Sequence, residues 1–223
     1  SGLVGSEMCI RDSWKLFEKG VTADEFKQVK LLGTVAFPNA SIHTMKPIAN
    51  LSDLKGNKYS VGNAILGGAI VALGATPVSL RPDETYQALS RGTVDGAVMP
   101  FTGMFTFKLH EIAKSHIDVP LGADAAAMIM NKQTYEKLPP QARAAIDKHS
   151  GLALTEKLGQ ATQGQWQYGY DLVKDRLVTL AADEEKKWQA ALTPVSQKWA
   201  EGAPNGARVL EAFRAEVQAL RKK

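Results

Sequence analysis

Residues 58–100 read KYSVGNAILGGAIVALGATPVSLRPDETYQALSRGTVDGAVMP, and this stretch decides the fold. Lys58–Val61 has the length and composition of a short strand. Asn63 is placed to cap a helix that runs to Leu73, and Gly74 is placed to end it. Pro77–Leu80 is a second strand. Asp83 is predicted to cap a helix reaching Ser90 or Arg91, with Tyr86 and Leu89 on one face and Gly92 at its end. Thr93–Met99 is a third strand, closed by Pro100. The order βαβαβ calls for a parallel sheet with right-handed crossovers.

Working outward, Trp14–Lys27 reads as a short helix, Val29–Phe37 as a strand and Ile42–Ile48 as a second extended piece. Leu51–Gly56 is a turn capped by Ser52 and Asp53. Beyond Pro100, Phe101–His116 is helix or loop and helix. Ala125–Met130 (AAAMIM) is wholly apolar and is read as a buried central strand. A helical pattern starts at Pro139-Pro140 and runs to about Asp175, with Gly159, Gly164 and Gly169 as bending points. Leu177–Ala182 is a strand, and Asp183, Thr193 and Asn205 open three closing helices. Residues 1–13, SGLVGSEMCIRDS, show neither helical nor strand period. They resemble translated adapter sequence and are set aside from fold reasoning. The natural protein is then expected to extend upstream.

Lys and Arg number 27 against 23 Asp and Glu, a net charge of +4. That excess is too mild and too scattered for a nucleic-acid binder. Hydrophobic residues make up 44% and charged residues 22%, which excludes wholesale disorder. Ala64–Leu73 is the longest apolar stretch, and a membrane-spanning helix needs roughly 20 such residues. The single cysteine, Cys9, excludes an internal disulfide and a thiolate cage. Of the four histidines, His110 and His116 in HEIAKSH are spaced wrongly for a zinc helix. There is no G-x-S-x-G elbow, and the glycines of VGNAILGG lack the spacing, lysine and hydroxyl of a phosphate loop. Asp95, beside Gly96, is read first as a turn or bulge residue. An enzyme using Asp95 with His110 or His43 is the minor alternative, and it requires those groups to converge on one proton.

The run Leu51–Pro100 resembles the DctP-type solute-binding proteins of TRAP (tripartite ATP-independent periplasmic) transporters. LSDLKGNKYSV is similar to that family's eDLKGlKiRv, and LGATPVSLRPDETYQALSRGTVDGAVMP is similar to its lGAtPv-m---EvY-ALq-GvvDG---P. KLHEIAKSHIDVPLG and MIMNKQTYEKLPPQARAAID resemble later segments of the family, so the likeness covers about residues 14–201.

The resemblance implies an α/β fold of the type II periplasmic-binding class: two lobes, crossing strands and a long bent hinge helix. By analogy, residues 14–35 and 125–165 form a partial first lobe, and 36–124 and 166–223 the second. It implies a periplasmic receptor, not an enzyme, without cofactor or metal. Such a receptor holds a small organic acid between its lobes and delivers it to TRAP membrane subunits. It is expected to be monomeric, not membrane-embedded, and without a nucleic-acid partner. A ligand-sensing regulatory domain of the same fold class is the second reading.

The family's carboxylate-clamping arginine in KiRv falls here on Ser60, which brings a hydroxyl and no charge. Val98, Met99 and Phe101 stand near the family's polar pocket position and make the expected lining more apolar. Three explanations stay open. The ligand is a less charged, partly apolar acid; another cation replaces the arginine, Lys58 first and then Arg81 or Arg91; or upstream sequence supplies it.

Overall fold

The structure, a computed structural model, describes residues 14–221. The chain opens with a helical turn at 14–18 (α1). Then come β1 (Val29–Asn39), β2 (Ser41–Thr44), β3 (Lys58–Val61), α2 (Ala64–Ala72), β4 (Thr76–Ser79), α3 (Pro82–Ser90) and β5 (Gly96–Met99). Next are α4 (Gly103–Thr106), α5 (Leu109–Ile112), β6 (Ser115–Ile117), β7 (Ala123–Asn131), α6 (Lys132–Glu136) and α7 (Pro140–His149). The chain closes with α8 (Leu152–Asp171), β8 (Leu177–Val178), α9 (Ala182–Gly202) and α10 (Gly206–Arg221). The adapter-like residues 1–13, Cys9 among them, lie outside the described residues.

Two compact units are present. Of the described residues, 14–37, 124–163 and 202–221 form one, and 38–123 and 164–201 form the other. The chain passes between them within β1, at the start of β7, within α8 and at the end of α9. Residues 202–221 group with the first unit, whereas the sequence analysis assigned 166–223 to the second lobe.

The second unit is built on a six-stranded sheet of order β4-β3-β5-β2-β6-β8. β4, β3 and β5 are parallel neighbours, as the βαβαβ pattern requires, and β6 and β8 are also parallel. β2 stands between β5 and β6, antiparallel to both. Alternate residues feed two cores. Ile42, Tyr59, Val61, Val98 and Ile117 pack with Leu66 and Ile70 of α2 and Trp188 of α9. Ala97 and Met99 pack on the other face with Leu89 of α3, Met104 of α4, Leu109 of α5 and Val173. The sheet is therefore covered on both faces, which is why its strands carry little polar alternation.

Local chemistry accounts for the element boundaries. Asn63 Oδ1 accepts the Leu66 N–H at 2.9 Å and caps α2. Pro82 takes the first position of α3, so the cap position falls on Arg81 and not on Asp83 as the sequence analysis had it. Glu84 then reaches back to accept the Arg81 N–H at 3.0 Å. β5 starts at Gly96 and not at Thr93. Asp95 fixes the start, its carboxylate accepting the Lys58 N–H at 2.8 Å and its own N–H donating to the Lys58 carbonyl at 2.8 Å.

In the first unit β1 and β7 form a two-stranded sheet. The helical run expected from residue 139 to about 175 is broken into α7 and α8 at Ser150-Gly151. Gly151 takes a left-handed φ of 76° and donates its N–H to the Leu32 carbonyl at 2.6 Å, which fastens the break to β1. Two residues on in β1, Thr34 N–H donates to Thr155 Oγ1 of α8 at 3.0 Å. Lys30 pairs with Asp147 at 2.7 Å, and the Tyr135 hydroxyl donates to the same carboxylate. These partners hold the Asp147 carboxyl below its ordinary range, the Lys30 ammonium being the larger cause.

β7 differs from its expectation. It was read as a buried central strand, yet most of its residues are exposed, Met128 at 46% and Ile129 at 53%. Among the described residues its one strand neighbour is β1.

Candidate functional site

In open α/β sheets, ligands bind beyond the carboxyl ends of parallel strands, where helix N-termini also gather. In the second unit that edge is formed by the residues that follow β3, β4, β5, β6 and β8. Because β2 is antiparallel, it contributes its beginning, and Ser41 pairs in register with Met99. The Ser41 hydroxyl donates to the Asp118 carboxylate at 3.0 Å, which ties the start of β2 to the end of β6. α2 begins at this edge after β3, and α3 after β4.

The seven sequence-predicted residues are divided by this edge. Ser60 is buried, and its hydroxyl shares a 3.0 Å hydrogen bond with Thr85 of α3, so it lies between sheet and helix. Val98 belongs to the core under α2 and α9, and Met99 to the core on the opposite face. Phe101 is fully buried and joins an aromatic cluster, edge-on to Trp166 at 5.8 Å and to Tyr170 at 5.2 Å. Trp166 and Tyr170 stack on each other at 5.0 Å. The three cations separate. Lys58 opens β3 and Arg91 follows the end of α3, which places both at the amino edge. Arg81 follows β4 at the carboxyl edge, with its side chain 72% exposed. Its guanidinium grips Asp83 with two donors, Nε to Oδ1 at 3.1 Å and Nη2 to Oδ2 at 2.6 Å. Each partner shifts the other: Asp83 is held low by the guanidinium, and Arg81 is raised by the carboxylate.

Two openings in this unit add to the geometry. One, of about 260 Å³, lies at the ends of β6 and β8 and is lined among others by Asp118, Pro120, Tyr170, Thr179 and Glu185. The other, of about 470 Å³, is an apolar groove between α2 and α9 lined by Ile65, Gly68, Val71, Pro194, Val195 and Trp199.

The Asp95–histidine arrangement of the minor enzyme reading is not assembled by hydrogen bonds among the described residues. Asp95 holds the Lys58 amide. His110 Nδ1 bonds the Met104 carbonyl at 2.8 Å. His43 bonds the Met99 carbonyl and His116, each at 2.9 Å. That His43–His116 pair is a feature the sequence analysis did not find. Seventy-three positions separate its members, and the signal for it was the antiparallel register of β2 on β6, which no local pattern carries.

A doubly covered α/β sheet joined by strands and a long helix to a second α/β unit is the architecture of the two-lobed, type II solute-binding class. The chain belongs to the DctP family, bacterial extracellular solute-binding protein, family 7, whose sequence profile matches residues 15–202. It is 32% identical over 174 residues to the C4-dicarboxylate-binding periplasmic protein DctP of Rhodobacter capsulatus, covering 76% of this chain and 51% of that protein. The chain thus spans about half the length of that curated relative.

Among solved structures it resembles a marine-metagenome TRAP solute-binding protein specific for aromatic acid ligands, in complex with metahydroxyphenylacetate. The TM-score is 0.88 and the identity 27%, over 96% of this chain and 71% of that one. It also resembles a TRAP solute-binding protein from Rhodoferax ferrireducens in complex with copurified benzoate, with a TM-score of 0.87 and 28% identity over 97% and 71%. Among the described residues no helix is long and apolar enough to cross a membrane.

Proposed function

We propose that this chain is the ligand-binding part of an extracytoplasmic receptor that captures a small aromatic carboxylate and delivers it to TRAP membrane subunits. Arg81 serves as the ligand's counter-ion in place of the arginine that Ser60 replaces. The observation that carries the reading is the position of Arg81. Of the three cations named from the sequence, it is the one at the carboxyl edge, its guanidinium already holding a carboxylate through two donors. A ligand carboxylate takes the same fork by displacing Asp83. An aromatic rather than dicarboxylate ligand suits the half-buried rings of Trp166 and Tyr170 on α8, which pack against Phe101 after β5, and two similar solved structures hold aromatic acids. A benzoate-sized ligand presents one charge and one apolar face, and so needs one cation.

The test is calorimetric titration with benzoate, 3-hydroxybenzoate, succinate and the neutral isostere benzamide, on the chain and on Arg81→Ala and Asp83→Asn. Benzoate is expected to bind and benzamide not. Arg81→Ala is expected to lose about 2–3 kcal/mol, the worth of a charge-assisted pair. Asp83→Asn is expected to bind more tightly, because the competing carboxylate is gone. Tighter binding of succinate than of benzoate would remove the aromatic assignment. Unchanged binding by Arg81→Ala would remove the clamp.

A further inference from the structure

The fully buried His43 and His116 stand on adjacent antiparallel strands, paired in register, on the sheet face otherwise filled by Met99, Phe101 and Met104. Their Nδ1 atoms are 2.9 Å apart, and His43 Nε2 lies 2.9 Å from the Met99 carbonyl. A carbonyl only accepts, so His43 carries its proton on Nε2. His43 Nδ1 is then a bare acceptor, and His116 Nδ1–H must donate to it. His116 Nε2 is left without a proton and has no hydrogen-bond partner. One proton arrangement satisfies the ladder, with both rings neutral, and it links β6 to β2 to β5.

Adding a proton has one net result whichever ring receives it. If His116 is charged, the new N–H is at its Nε2. If His43 is charged, its Nδ1–H must donate to His116 Nδ1, which drives the His116 proton to Nε2. Either way an N–H donor appears at a buried atom with no acceptor. The charged group that faces the pair is Arg176, from the turn Lys174–Arg176 before β8, whose guanidinium donates to the His110 and Ala113 carbonyls. It repels a second positive charge on His116. β5 offers the Met99 carbonyl, and the loop after it offers the Phe101 ring, 5.2 Å from His43 and 6.4 Å from His116.

We propose that the His43–His116 ladder is an acid-sensitive fastening of β2 within the second unit, opened by a proton arriving at Nε2 of His116. The fastening holds irrespective of the ligand. Burial pushes His43 down to about 4, and burial, His43 and Arg176 push His116 down to about 3. The unfolded chain takes up these protons near the ordinary histidine pKa of about 6.5, and the folded chain refuses them. Stability is therefore full above that value and falls as the pH drops toward the folded values. For one imidazole the folding equilibrium falls roughly fortyfold between pH 6.5 and 4.5.

Two measurements test this. Nitrogen-15 NMR of labelled histidine in the chain reports each ring nitrogen directly. Both rings are expected neutral from pH 7.5 to 5, His43 protonated on Nε2 and His116 on Nδ1. A charged ring at pH 5.5 in the folded chain, or the opposite tautomers, overturns the proposal. Urea denaturation across pH 7 to 4.5 then compares the chain with His116→Asn. The asparagine amide can donate to His43 Nδ1 or, flipped, accept from it, so the variant is expected to lose stability less steeply with acid. Parallel pH profiles overturn the proposal, and if the variant does not fold, the NMR result on the unaltered chain decides.

Discussion

Two apolar strands of similar composition meet opposite surroundings. GAVM at 96–99 is buried at every position, and AAAMIM at 125–130 is largely exposed. The first lies between β3 and β2 with a core on each face. The second has one described strand neighbour. Apolar composition supplies the tendency to bury, about 25 cal/mol per Å² removed from water, but only neighbours remove the area. In the second unit β2, β3, α2 and α3 from one chain segment and α9 from the other cover β5. That difference can be broken or sharpened by substitution.

The largest effect is expected at Phe101, where the ring is fully buried against His43, Trp166 and Tyr170. Phe101→Ala should destabilise the second unit by about 3–5 kcal/mol in urea denaturation. A loss below about 1 kcal/mol would mean that the aromatic cluster does not hold α8 to the sheet. Gly169 of α8 supports that contact, since a side-chain carbon there would collide with the Phe101 carbonyl. Gly169, a bending point by sequence pattern, makes this close approach in the structure.

Gly96 separates the two strands more directly. A Cβ at this position would stand 2.5 Å from the Tyr59 ring and 2.8 Å from the His43 carbonyl oxygen. Gly96→Ala is expected to cost about 1–3 kcal/mol, because the ring and the backbone must both shift. Ala126→Val, an enlargement by two carbons on exposed β7, is expected to stay within about 0.5 kcal/mol. Equal losses at the two sites, measured by denaturation midpoint, would show β7 to be packed as tightly as β5.

What was legible in the sequence is what forms within one turn of chain. Asn63 and Gly74 mark the ends of α2 because cap and stop are made by adjacent residues. The parallel order β4-β3-β5 follows from alternating strand and helix patterns. The cap of α3 falls two positions before Asp83 because Pro82, with its fixed φ and no N–H to leave unpaired, takes the first helical position. The insertion of β2 between β5 and β6 was not legible, since partners separated by long stretches of chain set it. The His43–His116 ladder depends on that insertion. The candidate site was legible in part: Arg81 was named among three cations, but only the strand direction places Lys58 and Arg91 at the opposite edge.

The smallest expected change in stability is at β7, where it carries the most information. Ile129 is 53% exposed, so placing a charge there removes little burial. Ile129→Lys is expected to leave the denaturation midpoint within about 0.5 kcal/mol of the unaltered chain. An apolar strand with one side unpaired among the described residues is a template for pairing with other chains, and a lysine on it opposes such pairing. The variant is therefore expected to show no more association in light scattering than the unaltered chain at any concentration, and less wherever the unaltered chain self-associates. A large loss of stability instead would mean that the outer face of β7 is covered when the chain is folded. The contrast with β5 would then be one of degree. Unchanged stability together with reduced association would show that the two strands differ in neighbours and not in composition.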